Sequence, residues 1–213
     1  MRNPAPVTAV IATAVVAFTA AACDDSGVPA AAPTGTATTP AAATTPGDHV
    51  RSGIPSGAVT FRVDSPDVRD GQSFPADEFA GSFGCTGAGH VPRLQWSGAP
   101  ATTRSFAVTM FDPDAPTGSG FWHWLAWDIP AAAGSAPDSV ATAAVSGTND
   151  AGSVGYQGPC PPAGDPAHRY RISVLALDVP TLGLPAATPP ALAAFSMYGH
   201  IVGAGRLTVT AAR

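Results

Sequence analysis

The chain has 213 residues, 45% hydrophobic and only 12% charged, with fifteen acids against ten basic residues and a net charge of −5. Every basic residue is an arginine and none fall in a run, so no cationic track exists for a phosphate backbone and nucleic-acid binding is not expected. The length suits one ordinary domain plus an appendage.

The appendage comes first. Arg2 is followed by an apolar run, Val7–Ala22, too short and alanine-rich for a comfortable membrane-spanning helix but suited to a secretory signal. It ends in Ala20-Ala21-Ala22-Cys23, which resembles the lipobox of bacterial lipoproteins, with alanine at the position where leucine is usual. Two outcomes follow: Cys23 becomes a lipid-modified N-terminus, or the chain is cleaved at an A-x-A site and released. The first is the expectation taken forward, with residues 1–22 as signal peptide and the product exported and held to the cell membrane. Residues 23–57 are rich in Ala, Thr, Pro and Gly with almost no large apolar side chain, and read as a flexible tether. In such a compartment Cys85 and Cys160 are either bridged or two unlinked thiols.

From residue 58 the texture becomes that of a domain, 58–213. Val59–Asp64 alternates apolar and polar residues, the period of a half-buried strand. Ser105–Asp112 and His123–Pro130 are short β-rich runs ended by proline-containing turns. His168–Pro180 and Arg206–Ala211 add two more strands. Only Pro190–His200 reads as a helix, with proline in its first turn and glycine near its end. These elements predict a mostly β domain with a large central sheet, a C-terminal helix and long loops.

The serine-nucleophile elbow, the HExxH zinc motif, the Walker A loop and the dinucleotide fingerprint are all missing from the sequence. Three other stretches carry chemistry. Asp112-Pro-Asp-Ala-Pro116 ends a strand and reads first as an Asx-turn. Trp122-His123-Trp124 lies on the next strand, where strict alternation would point His123 away from both tryptophans. Gly147–Tyr170 is a Gly/Pro loop leading to His168 and Tyr170, two apart and therefore on one strand face. Two imidazoles, a phenol and an aspartate beside a rigid loop are groups that converge in small-ligand pockets.

Taken together, "DPDAPTGSGFWHWLAWDIP", "NDAGSVGYQGPCPP" and "HRYRISVLALD" resemble the phosphatidylethanolamine-binding protein family, in its bacterial Raf kinase inhibitor-like branch. The resemblance runs from about Val59 to Thr210. It implies a β-sandwich-like fold with a small anion pocket at one end. Carried over by motif, that pocket comprises Asp112, Ala115, Pro116, Trp122, His123, Gly158, Pro161, Pro162, His168 and Tyr170, with Asp114 as a turn stabiliser. One segment departs from the family pattern: Cys85–Trp96 lacks the usual Asn-x-Ser. The expected partner is a small anionic or phosphorylated ligand, with no cofactor and no metal. Asp112 would orient a histidine and favour its protonated form, so anion affinity should rise as pH falls. An Asp–His pair near Ser119 or Ser153 raises hydrolysis, but neither serine sits in a strained elbow, and a non-enzymatic role is expected. The alternative is a protein inhibitor of a serine protease, or less readily of a kinase, acting through its surface. The resemblance also admits a homodimer.

Overall fold

A computed structural model describes residues 51–213; the expected signal segment 1–22, Cys23 and the tether through residue 50 lie outside the described residues. Strands form where the sequence alternates or runs continuously apolar: β1 (Val59–Thr60), β2 (Arg62–Asp64), β3 (Leu94–Ser97), β4 (Ser105–Asp112), β5 (Phe121–Pro130), β6 (Ser135–Ala136), β7 (Val145–Ser146), β8 (His168–Leu177) and β9 (Ile201–Ala211). They build a six-stranded sheet in the order β1-β9-β8-β4-β5-β7 and a three-stranded sheet in the order β2-β3-β6. The domain is mostly β, as the patterning predicts.

Period-two alternation gives the large sheet two working faces. Phe106, Val108 and Met110 of β4 and Tyr170, Ile172 and Val174 of β8 point one way, onto Val63, Leu94 and Trp96 of the small sheet. The Trp96 and Phe106 rings meet there at 5.3 Å between centroids. Ala107, Leu125, Trp127, Leu175 and Leu177 point the other way. The helix α2 (Pro190–Tyr198) covers that face through Ala193 and Met197, four residues apart on one side of the helix. Each fully buried side chain such as Leu94, Leu125, Ile172 or Leu177 contributes about 1.5–3 kcal/mol of hydrophobic stabilisation.

Several expectations change. The run Val59–Asp64 is shared between sheets: Val59–Thr60 pairs in parallel with Gly203–Ala204, and Arg62–Asp64 pairs antiparallel with Gln95–Ser97. Alternation continues unbroken through such a crossing, so the pattern cannot report it. Two short helical pieces, a 3-10 turn at Ala76–Glu78 and α1 (Asp138–Ala143), are too brief to carry a helical period. Residues 51–57, assigned to the tether, lie against the domain: Ile54 packs on the second face, and the carbonyls of Arg51 and Ser52 accept from Arg171 and Arg206. One isoleucine and two backbone acceptors escape an argument from composition.

A β-bulge in β5 matters most for function. Against β4, Met110 pairs with Trp124 but Phe111 pairs with Trp122, leaving His123 as the extra residue. The parity of the strand flips there. Trp124 joins the small-sheet face and Trp122 packs on the α2 face. His123 lies 5.1 Å from the Tyr170 ring, on the same side as Trp124, so it opposes only Trp122. The expectation that it faces away from both tryptophans is corrected.

Candidate functional site

Asp112 ends β4 and His168 begins the neighbouring β8, which brings two residues 56 positions apart to one corner of the large sheet. His168 Nδ1 lies 2.8 Å from Asp112 Oδ2. The other carboxylate oxygen of Asp112 accepts the Asp114 backbone N–H at 2.8 Å, the Asx-turn expected of the DPDAP stretch. Asp114 itself reaches Arg169 in a two-pronged ion pair and also accepts that residue's backbone N–H, stitching the turn to β8. His123 Nδ1 meets the Gln157 carbonyl at 2.9 Å, so its proton sits on Nδ1 in the neutral ring. Tyr170 packs between the histidines, its ring centroid 5.1 Å from His123 and 6.5 Å from His168. All four are nearly sealed from solvent, with 2% exposure for Asp112, 6% for His123, 4% for His168 and 1% for Tyr170.

The Gly158–Pro162 loop passes behind this corner. It is held by the Cys85–Cys160 disulfide, by Ala80 N–H donating to the Pro159 carbonyl at 3.0 Å, and by Arg213 Nε donating to the Pro161 carbonyl at 3.1 Å. The bridged reading of the two cysteines is therefore the correct one. Gly158 is required by space: a Cβ there would fall 2.6 Å from both the Ala80 nitrogen and the Glu78 carbonyl oxygen. Pro161 is buried, Pro162 and Pro116 are exposed, and Ala115 is half-buried in the turn after Asp114.

Comparison with known proteins gives the arrangement a family. The sequence profile described as phosphatidylethanolamine-binding protein matches residues 64–212. The chain belongs to the phosphatidylethanolamine-binding protein family. YbcL of Escherichia coli is 37% identical over 159 residues, spanning 71% of this chain and 87% of that protein. The crystal structure of YbcL, described as a new member of the mammalian family, superposes with a TM-score of 0.69 over 72% of this chain and 98% of its own. LppC of Mycobacterium tuberculosis, named as a candidate lipoprotein, is 36% identical over 154 residues, covering 72% of this chain and 73% of LppC.

In this phosphatidylethanolamine-binding protein family member the two histidines are driven in opposite directions. Burial alone would lower His168, but the hydrogen bond and charge of Asp112, with Asp165 and Asp114, outweigh it and hold the imidazole above its ordinary value. Burial dominates at His123 and pulls that imidazole below its ordinary value, against the Gln157 and Gly158 carbonyls and the more distant aspartates. Burial and then the Asp112 charge push the Tyr170 phenol up, so it stays a neutral hydroxyl. The corner thus combines a histidine inclined to carry a proton, a neutral histidine and a neutral phenol.

Placement of the sequence-derived set is uneven. Asp112, His123, His168 and Tyr170 converge, and Gly158 and Pro161 lie in the bridged loop. Trp122 does not join them, because the bulge turns it to the α2 face against Phe111, at 4.4 Å between centroids. The aromatic beside His123 is Phe121, at 4.7 Å, a residue absent from the sequence-derived set although period-two spacing places it on the face of His123. Asp165 was also missed: its carboxylate stands 3.5 Å from His168 Nε2. Neither serine considered for catalysis serves the pair. Ser153 Oγ is engaged with Asn149, and Ser119 lines a cavity on the other face of the sheet. Among the described residues, no group of three or more His, Cys, Asp or Glu is arranged to hold a metal ion.

Proposed function

We propose that this protein is an envelope-anchored binding protein that holds a small anion, of the phosphate or phospholipid head-group class, at the Asp112–His168 corner. The observation that carries the reading is the buried Asp112–His168 pair at 2.8 Å. A carboxylate fixed by an Asx-turn on one oxygen spends the other on Nδ1, which favours the imidazolium and leaves Nε2–H as a charge-assisted donor. The neutral Tyr170 hydroxyl is turned to Asp112 and steadies that carboxylate. Neutral His123 adds an acceptor at Nε2, suited to a protonated phosphate oxygen or an ammonium. Asp165, against Nε2 at 3.5 Å, is an internal carboxylate in the place a ligand oxyanion would take, and the ligand displaces it. The role proposed is non-catalytic, in keeping with Ser153 being engaged by Asn149 and Ser119 lining the other face of the sheet. Anchoring rests on Cys23 and on the likeness to LppC.

The test is titration calorimetry of O-phosphoethanolamine, and of sulfate, whose own charge is constant, at about pH 5 and about pH 8. A histidine with a raised pKa is protonated below that pKa, so affinity falls as pH rises through it. Tighter binding at the lower pH is expected, with loss in Asp112→Asn and His168→Gln and a gain in Asp165→Asn. Equal affinity at both pH values refutes the histidinium as the anion's partner. Inhibition of a serine protease that survives His168→Gln would move the function to the protein surface.

A further inference from the structure

On the opposite face of the large sheet lies a cavity of about 760 Å³. Its floor is β4, β5, β8 and β9, one wall is α2, and the other wall is the chain at residues 51–56. The volume falls in the range of small-molecule sites. Its lining divides by chemistry. Phe111, Trp122, Leu175 and Met197 make an apolar interior, and Phe195 of α2 stands at its edge with 77% of its surface exposed. At the other side stand Arg51, Arg171 and Arg206, and none of the described residues lining the cavity is an aspartate or glutamate.

The arginines are set apart by their grouping on one cavity. Arg62, Arg93 and Arg169 each pair with an aspartate; among the described residues the three cavity arginines form no ion pair, as is also true of Arg69, Arg104 and Arg213, but only the cavity three share a lining. Arg206 lies directly across from Ser173, and Arg171 across from Thr208, so the two guanidiniums are diagonal neighbours on adjacent strands. Each is aimed rather than neutralised. Arg206 donates to Ser173 Oγ at 2.8 Å and to the Ser52 carbonyl at 2.7 Å, and Arg171 donates to the Arg51 carbonyl at 3.3 Å. A guanidinium has five N–H donors, so several remain for an anion. Burial, and then the neighbouring Arg171, draw the Arg206 guanidinium down to about 10. An arriving anion compensates the buried charge and offsets the repulsion, in a chain whose net charge is −5.

We propose that this cavity is a second ligand site, independent of the Asp112–His168 corner, for a small amphiphile with one compact anionic head, carboxylate or phosphate, and an apolar body. The head is held by Arg171 and Arg206 in the planar, two-pronged manner that guanidiniums favour for such groups. The body lies along Phe111 and Trp122 beneath α2. A neutral ligand would leave two adjacent cations uncompensated, and a cationic one would add to their repulsion.

Titration calorimetry of the purified full chain in detergent-free buffer tests this with decanoate, decyl phosphate and decyltrimethylammonium. Saturable binding of either anionic probe and none of the cationic one is expected, and the ratio of the two anionic affinities distinguishes a carboxylate from a phosphate source. Arg171→Met, which removes the guanidinium with the fewer structural bonds, should weaken binding by about tenfold or more. Ala194→Trp, which fills the cavity and leaves every arginine in place, should abolish it. His168→Gln should change nothing. Absence of saturable anionic binding by the folded parent chain overturns the proposal, as does equal binding of the cationic probe or loss of binding in His168→Gln. A dimer that dissociates in Ala194→Trp, without anion binding by the parent, would show that a second copy occupies the cavity instead, and equally overturns it.

Discussion

Removing the Cys85–Cys160 bridge tests how the site-bearing loop is held. The cysteines are 75 residues apart, and closing a loop of that length reduces denatured-chain entropy by an amount worth about 4.5 kcal/mol at 25 °C. For a domain of this size each kcal/mol corresponds to about 2–4 °C, so the double variant Cys85→Ala/Cys160→Ala should melt about 9–18 °C lower than the oxidised parent. Urea denaturation of the oxidised protein, the reduced protein and the double variant measures the free energy directly. Anion binding at 25 °C should survive, because Ala80 and Arg213 still hold the carbonyls of Pro159 and Pro161. A loss below about 1 kcal/mol would refute the loop-entropy reasoning and mean that the two ends stay together in the unfolded chain. Loss of binding without loss of stability would refute the backbone bonds as the holders of the loop.

Three further outcomes are expected. Glu78 is buried with Oε2 lacking any partner among the described residues, and burial, then Asp67 and Asp77, raise its carboxyl from 4.5 to about 7. A raised acid destabilises the fold in its charged form, so stability is lost as pH rises from the unfolded value through the folded one. Glu78→Gln should therefore leave stability unchanged at about pH 4 and add about 1–2 kcal/mol at about pH 8.5, read from urea midpoints; an equal effect at both pH values would exclude titration as the cause. Gly158→Ala should cost about 1–3 kcal/mol in thermal melts and weaken phosphate binding, because the neighbours at 2.6 Å are backbone atoms that cannot yield. Phe121→Leu should weaken anion binding by about threefold to tenfold while Trp122→Leu leaves it unaltered, and the reverse ranking in calorimetry would contradict the bulge assignment.

What could be read in advance followed the physics of each element. β4 and β8 carry continuous or alternating apolar side chains, so their positions were visible to within a few residues. β9 was recognised only from Arg206, because its first half, Ile201-Val-Gly-Ala-Gly205, has little side-chain pattern. Those glycines are there for space: a Cβ on Gly205 would fall 2.3 Å from Val63 Cγ2, a contact with a distant strand that no local pattern encodes. At the site, residue types were legible but partners were not. Asp112 had two histidines to choose from, and only the antiparallel register of β4 with β8 selects His168. Trp122 was misplaced for a different reason. A bulge adds one residue without altering composition, and everything beyond it changes sides.

That same bulge has a further consequence. Phe121 and His123 look into one compartment and Trp122 into the other, so the partition between them at this point is a single thickness of backbone. Deleting one residue here would not merely shorten a strand; it would exchange the furnishings of the two rooms. With the wall intact, His123 rests on Tyr170 on one side and Trp122 on Phe111 on the other, so either compartment can be filled or emptied without repacking its neighbour.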